Sequence, residues 1–233
     1  MQYLLSGGQA CIFYGGTEFS RDADIVVLAS AGNLAALQAA LRELDAEQIF
    51  VPPLEAEFLD RGHACHFRCR CPGAEGIRLD VMSVLRGCDP FPNLWARRAA
   101  VEVQGTGEVP VLSLPDLVQS KKTQRDKDWG HIRRLVESDY LARRSEADEE
   151  DMLWWLAELR TAPYLIELVR ARPELVTRVE RRRWLAERGL RGEDAIGAAL
   201  LDEEQQERAD DRAYWAPLRR ELEHLRQSRR SDG

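Results

Sequence analysis

Two hydrophobic patterns divide this chain. Up to about residue 112, short apolar runs alternate with clusters of turn residues; beyond it, apolar positions recur at helical spacing. Tyr3-Leu4-Leu5 runs into Ser6-Gly7-Gly8, which predicts a strand ending in a glycine turn. Gln9–Tyr14 predicts about one and a half helical turns, broken by Gly15-Gly16-Thr17. The β-branched run Ile25–Leu28 reads as a buried strand. Leu34, Leu37, Leu41 and Leu44 predict an amphipathic helix over 31–45 with its leucines in the core. Ile49-Phe50-Val51 predicts a short strand stopped by Pro52-Pro53, and Leu54–Leu59 a turn or two of helix. His63–Cys71 and Ile77–Val84 flank the turn cluster Pro72-Gly73-Ala74-Glu75-Gly76 and predict a hairpin. Ala99–Val103 and Val109–Leu112, around Gly105-Thr106-Gly107, predict a second one that extends the sheet.

Pro115 suits the first turn of a helix over Leu114–Lys122, and the next helix covers Asp126–Val136. Composition shifts after about Tyr140. The acidic residues Glu146, Asp148, Glu149, Glu150 and Asp151 read as a linker or a helix N-terminal turn. Met152–Arg160 is helical, Pro163 and Pro173 punctuate further helices, and Arg181-Arg182-Arg183-Trp184 reads as a charged helix face with one buried tryptophan. Leu201–Arg226 predicts one long charged helix, with the tail beyond Arg226 frayed. The expected fold class is α+β: a mixed sheet flanked by helices over 1–140, then a helical region over 141–233.

Composition narrows the function classes. The net charge of −7 argues against a surface that broadly coats nucleic acid. No stretch approaches the roughly 20 apolar residues of a membrane span, and Met1 runs straight into a strand with no signal-peptide pattern, so the expected location is cytoplasmic, with no membrane partner. Cys65, Cys69 and Cys71 beside His63 and His66 invite a zinc reading. Along a strand, same-face residues lie about 6.7 Å apart, too spread for one tetrahedral ion, so free thiols in a reducing compartment are expected. The chain carries no dinucleotide fingerprint, no P-loop, no Ser-His-Asp order and no internal repeat.

The chemistry concentrates in carboxylates. In a strand, residues two apart share a face, so Asp22 and Asp24 converge while Ala23 and Ile25 face away. Two adjacent carboxylates repel and are normally tolerated beside a cation; oxygen donors of this kind suit Mg²⁺, which takes one or two carboxylates plus substrate phosphates. The same pair, taken alone, also reads as a solvated strand end. Asp80 changes the balance, because a carboxylate inside the apolar strand Ile77–Met82 is costly unless paired or metal-bound. Lys121, Lys122 and Arg125 form a basic cluster that reads either as a solvated helix end or as cations for a triphosphate.

Taken in order, Gly7-Gly8, Ser20-Arg21-Asp22-Ala23-Asp24, Arg78-Leu79-Asp80, the Leu-rich run Leu112–Lys121 and Arg125-Asp126-Lys127-Asp128 resemble the nucleotidyltransferase superfamily of the polymerase-beta type. More narrowly, they resemble the AbiEii-type and related minimal nucleotidyltransferase-like bacterial proteins, over roughly residues 1–140. The resemblance implies a nucleotidyltransferase-like sheet and metal-dependent transfer of a nucleotide from an NTP. It implies that Asp22, Asp24 and Asp80 are catalytic and hold Mg²⁺, and that Gly7, Gly8, Ser20, Arg21 and Lys121 bind the nucleotide. It further implies an RNA, such as tRNA, or a protein hydroxyl as acceptor, a toxin role beside a cognate antitoxin, and a true start upstream of Met1, where relatives carry a helix. Two alternatives stay open: a catalytically silent nucleotide- or partner-binding relative, which Phe19 and Gly8 favour, and an unrelated α+β protein.

Overall fold

The computed structural model describes residues 1–17, 19–179 and 192–231; the Arg181–Trp184 stretch lies outside the described residues. The protein is α+β. Its strands are β1 (Tyr3–Ser6), β2 (Asp22–Val27), β3 (Glu47–Gln48), β4 (Cys65–Arg68), β5 (Arg78–Met82), β6 (Ala99–Val103) and β7 (Gly107–Val111). They form one seven-stranded mixed sheet in the order β3-β4-β5-β2-β1-β7-β6. Both expected hairpins are present, β4–β5 and β6–β7, and β1 joins the second to the rest by pairing parallel to β7. β2 pairs with β5 in parallel.

The helices are α1 (Gly7–Phe13), α2 (Ala31–Glu43), α3 (Ala56–Asp60), α4 (Phe91–Ala96), α5 (Leu114–Ser120), α6 (Asp126–Arg143), α7 (Glu149–Glu158), α8 (Ala162–Ala171) and α9 (Glu193–Ser231), with a 3₁₀ segment at Pro173–Arg178. The chain divides into two compact units, Met1–Ser120 with Arg212–Gly233, and Lys121–Asp211. The boundary expected near residue 140 therefore falls inside α6, and α9 begins in the second unit and ends in the first.

One face of the sheet in the first unit makes the core. Ile25, Val27, Cys65, Phe67, Leu79 and Val81 pack against Leu34, Leu37 and Leu41 of α2 and Leu59 of α3. Leu34, Leu37 and Leu41 of the stripe read from sequence are thus the buried face of α2, while Leu44 caps its C-terminus half-buried; its N-terminus is capped by Ser30 accepting from the Asn33 N–H. In the same unit Tyr214 and Leu218 of α9 lie over Gly62, and Glu221 binds Arg61 and the buried His63, each at 2.8 Å.

Three local expectations are corrected. Ile49–Val51 is not a strand: β3 ends at Gln48, whose side-chain amide donates to the carbonyls of Phe50 and Pro52 and turns the chain. α6 runs on to Arg143 because Leu135, Val136 and Tyr140 continue its buried stripe past the expected end. α9 starts eight residues before Leu201, at Glu193, with Ile196, Ala199 and Leu200 buried, and continues through Ser231, past the expected fraying point. The acidic run does begin a helix: Asp148 and Asp151 form a reciprocal capping box at the start of α7. No helix among the described residues is long and apolar enough to cross a membrane.

Candidate functional site

The opposite sheet face carries the acids. Pairing in register places Asp24 level with Asp80 across the parallel β2–β5 pair, Asp80 level with His66 across β4–β5, and Asp24 level with Ser6 across β1–β2. Two residues back, Asp22 lies level with Arg78, and Arg78 with Arg68. Laterally paired residues share a face, so two polar rows run across β4, β5 and β2 on the side away from α2. Leu4 and Val26, further along the same face, are fully buried, and α1 packs on β1 and β2. Asp24 and Asp80 are half-buried and Asp22 is exposed. The convergence of Asp22, Asp24 and Asp80 on one face, expected from strand parity, is what the register produces.

The glycine turn is built against these acids. Gly7 sits at φ +59°, in the left-handed region that a side chain rarely adopts, and a Cβ there would lie 1.9 Å from Asp24 Oδ2. A Cβ on Gly8 would lie 2.3 Å from Ser20 Oγ. Glycine is therefore required at both positions by what occupies the space, a carboxylate in one case and a hydroxyl in the other. The Ser6 hydroxyl donates to the Asp24 carbonyl at 3.1 Å, the Ser20 hydroxyl to the Asp22 carbonyl at 3.0 Å, and the Gln9 amide to the Ser20 carbonyl at 3.1 Å. These bonds tie the loop before β2 to the start of α1. Arg21 is exposed, with its guanidinium 5.9 Å from the ring centroid of Phe19.

Asp80 is engaged through both of its oxygens. Arg78 Nε donates to its Oδ1 at 2.7 Å and Arg78 Nη2 to its Oδ2 at 2.9 Å, a bidentate fork between residues two apart on one strand. His66 Nδ1 lies 2.8 Å from Asp80 Oδ1. Burial alone would raise the Asp80 pKa; the bonds from His66 and Arg78 outweigh it and hold the carboxyl below its ordinary value. The Arg78 pKa is raised, first by its bond to Asp80 and also by the charges of Asp22 and Asp24. His66 is the site residue that sequence reading missed. Its available signal was the alternation of β4, which sets His66 and Arg68 opposite the buried Cys65 and Phe67.

Among the described residues, no three or more His, Cys, Asp or Glu side chains are gathered closely enough to hold a metal ion. Asp22 and Asp24 nonetheless suit Mg²⁺ as a donor set: both are hard carboxylates, the Asp24 carboxylate fills the space a side chain at Gly7 would need, and Mg²⁺ is commonly held by two carboxylates plus phosphates and water. Asp80 joins such a set only by releasing Arg78.

Lys121 belongs to the second unit. It is buried, its ammonium 3.5 Å from the fully buried Asp128, which also accepts from Thr123 at 2.6 Å and Arg125 at 2.7 Å. Lys122 is likewise buried and binds Glu158 at 2.8 Å. The reading of these lysines as a solvated helix end is corrected: α5 stops at Ser120, and both lysines are buried within the second unit, Lys121 toward the buried Asp128 and Lys122 toward the half-buried Glu158. Cys11, Cys65 and Cys69 are buried and form no disulfide, and burial pushes the Cys65 thiol up to about 12.

No family model matches the chain, and no curated protein matches it in sequence.

Proposed function

We propose that the acid face of the sheet performs Mg²⁺-dependent nucleotidyl transfer from an NTP to a hydroxyl. The observation that carries this reading is the register of β2 and β5, which sets Asp24 beside Asp80 and directly against the side-chain-free Gly7. Asp22 and Asp24 would hold the ion, which when bound neutralises the triphosphate oxygens. Gly7 and Gly8 leave the approach to the carboxylates free of Cβ atoms, and Ser20 keeps the loop that carries Arg21 closed onto β2. In the transfer, the acceptor oxygen bonds to the α-phosphorus, the α–β bridging P–O bond breaks, and pyrophosphate leaves with its electron pair. Asp80, held ionised by Arg78 and His66, would add its charge beside the ion, and the acceptor hydroxyl would give up its proton to water as its oxygen bonds to phosphorus. The resemblance carries the acceptor class, an RNA or protein hydroxyl, and the toxin–antitoxin setting.

A second reading, nucleotide binding without transfer, is favoured by one observation: both oxygens of Asp80 are already taken by Arg78.

Calorimetric NTP titration with and without Mg²⁺ tests both. Binding is expected to require Mg²⁺ and to weaken at least about tenfold in Asp22→Asn and in Asp24→Asn, since each amide removes one charge and one anionic ligand. If Asp22→Asn binds like the parent but melts markedly earlier, the pair is structural and the proposal is wrong. Pyrophosphate release in a mixture of the four NTPs with total RNA or protein separates transfer from silent binding.

A further inference from the structure

The cation that the acid face sets against Asp80 is Arg78, with Arg68 level with it on β4. Its guanidinium grips Asp80 through two parallel bonds of 2.7 and 2.9 Å, and Asp22 and Asp24 both act on its charge. It lies level with Asp22 on the neighbouring strand and one same-face step from the Asp24–Asp80 row. Among the described residues, Arg78 is thus the cation bonded to Asp80 and felt by Asp22 and Asp24, with His66 beside it.

We propose that Arg78 is the exchangeable counter-cation of this cluster: it holds Asp22, Asp24 and Asp80 together without a divalent ion and is displaced when one binds. This inference rests on the functional reading above and assigns a role to a residue outside the carboxylate set.

Two features of the contact make it releasable. The first is His66. Its Nδ1 lies 2.8 Å from Asp80 Oδ1 and 3.1 Å from Arg78 Nη2. One ring nitrogen cannot serve both neighbours. Protonated, Nδ1 donates to Asp80 and meets Nη2 donor to donor; unprotonated, it accepts from Nη2 and meets Oδ1 acceptor to acceptor. With Nδ1 protonated, the short contact to Arg78 Nη2 is not a hydrogen bond, and withdrawing the guanidinium relieves it while the bond from Nδ1 to Asp80 stays. The second is exposure. The Arg78 side chain is 35% exposed while that of Asp80 is 15%, so the arginine has a path to water that the carboxylate lacks. An ion that brings two charges to the same carboxylates competes for the place of a cation that brings one. Once displaced, the planar fork stays beside the site with a geometry that matches phosphate oxygens.

The test uses Mn²⁺ as the probe, counted by electron paramagnetic resonance, on the full chain and on Arg78→Gln, Arg78→Lys and Asp24→Asn. Removing a unit positive charge next to the ion site is expected to tighten Mn²⁺ binding at least about tenfold in Arg78→Gln. Arg78→Lys, which keeps the charge, should stay within about threefold of the parent. Arg78→Gln should also melt earlier than the parent in chelator and recover on adding Mn²⁺. If Arg78→Gln binds Mn²⁺ no more tightly than the parent while Asp24→Asn loses binding, Arg78 is a fixed brace: the inference fails and the metal reading of the aspartates stands. If no variant and not the parent binds Mn²⁺, both fail together. A measurement on the unmutated protein guards against a variant that does not fold. The Arg78 Nε–H resonance, assigned by ¹⁵N NMR, should shift on Mg²⁺ saturation as its bond to Asp80 is released; an unchanged resonance overturns the proposal.

Discussion

Two aspartates, one in each unit, one half-buried and one fully buried, have the same electrostatic problem and opposite surroundings. Burial would raise the pKa of Asp80 and of Asp128, and in both cases neighbouring donors reverse the sign and hold the carboxyl low. Around Asp128 the partners are Lys121, Thr123, Arg125 and, 3.9 Å away, His131, with no second carboxylate among the groups that shift it. Around Asp80 the partners are Arg78 and His66, and Asp22 and Asp24 press on the same arginine. Asp128 is fully buried, with Arg125 the one largely exposed partner named here, whereas Asp80 is half-buried and its arginine also feels Asp22 and Asp24. A charge sealed among its complements stabilises a fold, whereas an unbalanced charge at the surface is an invitation to a ligand of opposite sign.

Breaking the sealed cluster should have the largest effect. Asp128→Asn leaves Lys121 buried without its carboxylate, and loss of one partner of a buried pair costs about 3–5 kcal/mol. Urea denaturation should show that loss at unchanged m-value; a midpoint equal to the parent's would remove the distinction between the two clusters. Next in size is Gly7→Ala. The left-handed backbone costs about 1–3 kcal/mol, and the added methyl has to expel the Asp24 carboxylate. Thermal melts should fall and Mn²⁺ affinity with them; a variant that melts early but binds Mn²⁺ like the parent would show that Asp24 is not a ligand.

A smaller effect separates the clusters by pH. Burial first, and then Lys121, holds the His131 pKa below 6.5. The unfolded chain then takes up that proton first as pH falls, so stability should decline as pH drops through about 6.5, by at most about 1.4 kcal/mol per pH unit for one group. His131→Gln should flatten that slope. The depressed carboxyls of Asp80 and Asp128 act in a lower window: their contribution is present above about pH 4 and is lost as pH falls below it. The smallest effect is expected at the exposed end of the acid face. Asp22→Asn should change stability by no more than about 0.5 kcal/mol, with equal or slightly higher melting in chelator. A marked loss would mean that Asp22 is a partner of Arg78 first and a ligand second.

What could be read without coordinates is what depends on local periodicity. Strand parity is a property of consecutive residues, so the shared face of Asp22 with Asp24 and of Arg78 with Asp80 was legible, as were the leucine stripe of α2, both hairpins and the α+β class. The misread segments are those where a side chain overrides the local pattern. Gln48 bends the chain at Ile49–Val51 by binding two carbonyls, and the acids Asp128 and Glu158 draw in Lys121 and Lys122, which a helix-end pattern would leave in water.

The sequence by itself determined which residues can lie together on one face of one strand or helix, because that follows from a period of two or of 3.6. Only the tertiary structure decided that β2 lies parallel to β5 with Asp24 level with Asp80, that His66 stands on the far side of Asp80, and that Arg78 closes on it. The reason is that register is a relation between strands distant in the chain. A slip of one residue would leave each strand's own pattern intact while turning its carboxylates to the opposite face. That choice is made by the summed packing of Ile25, Val27, Leu79 and Val81 against α2, which no single strand encodes.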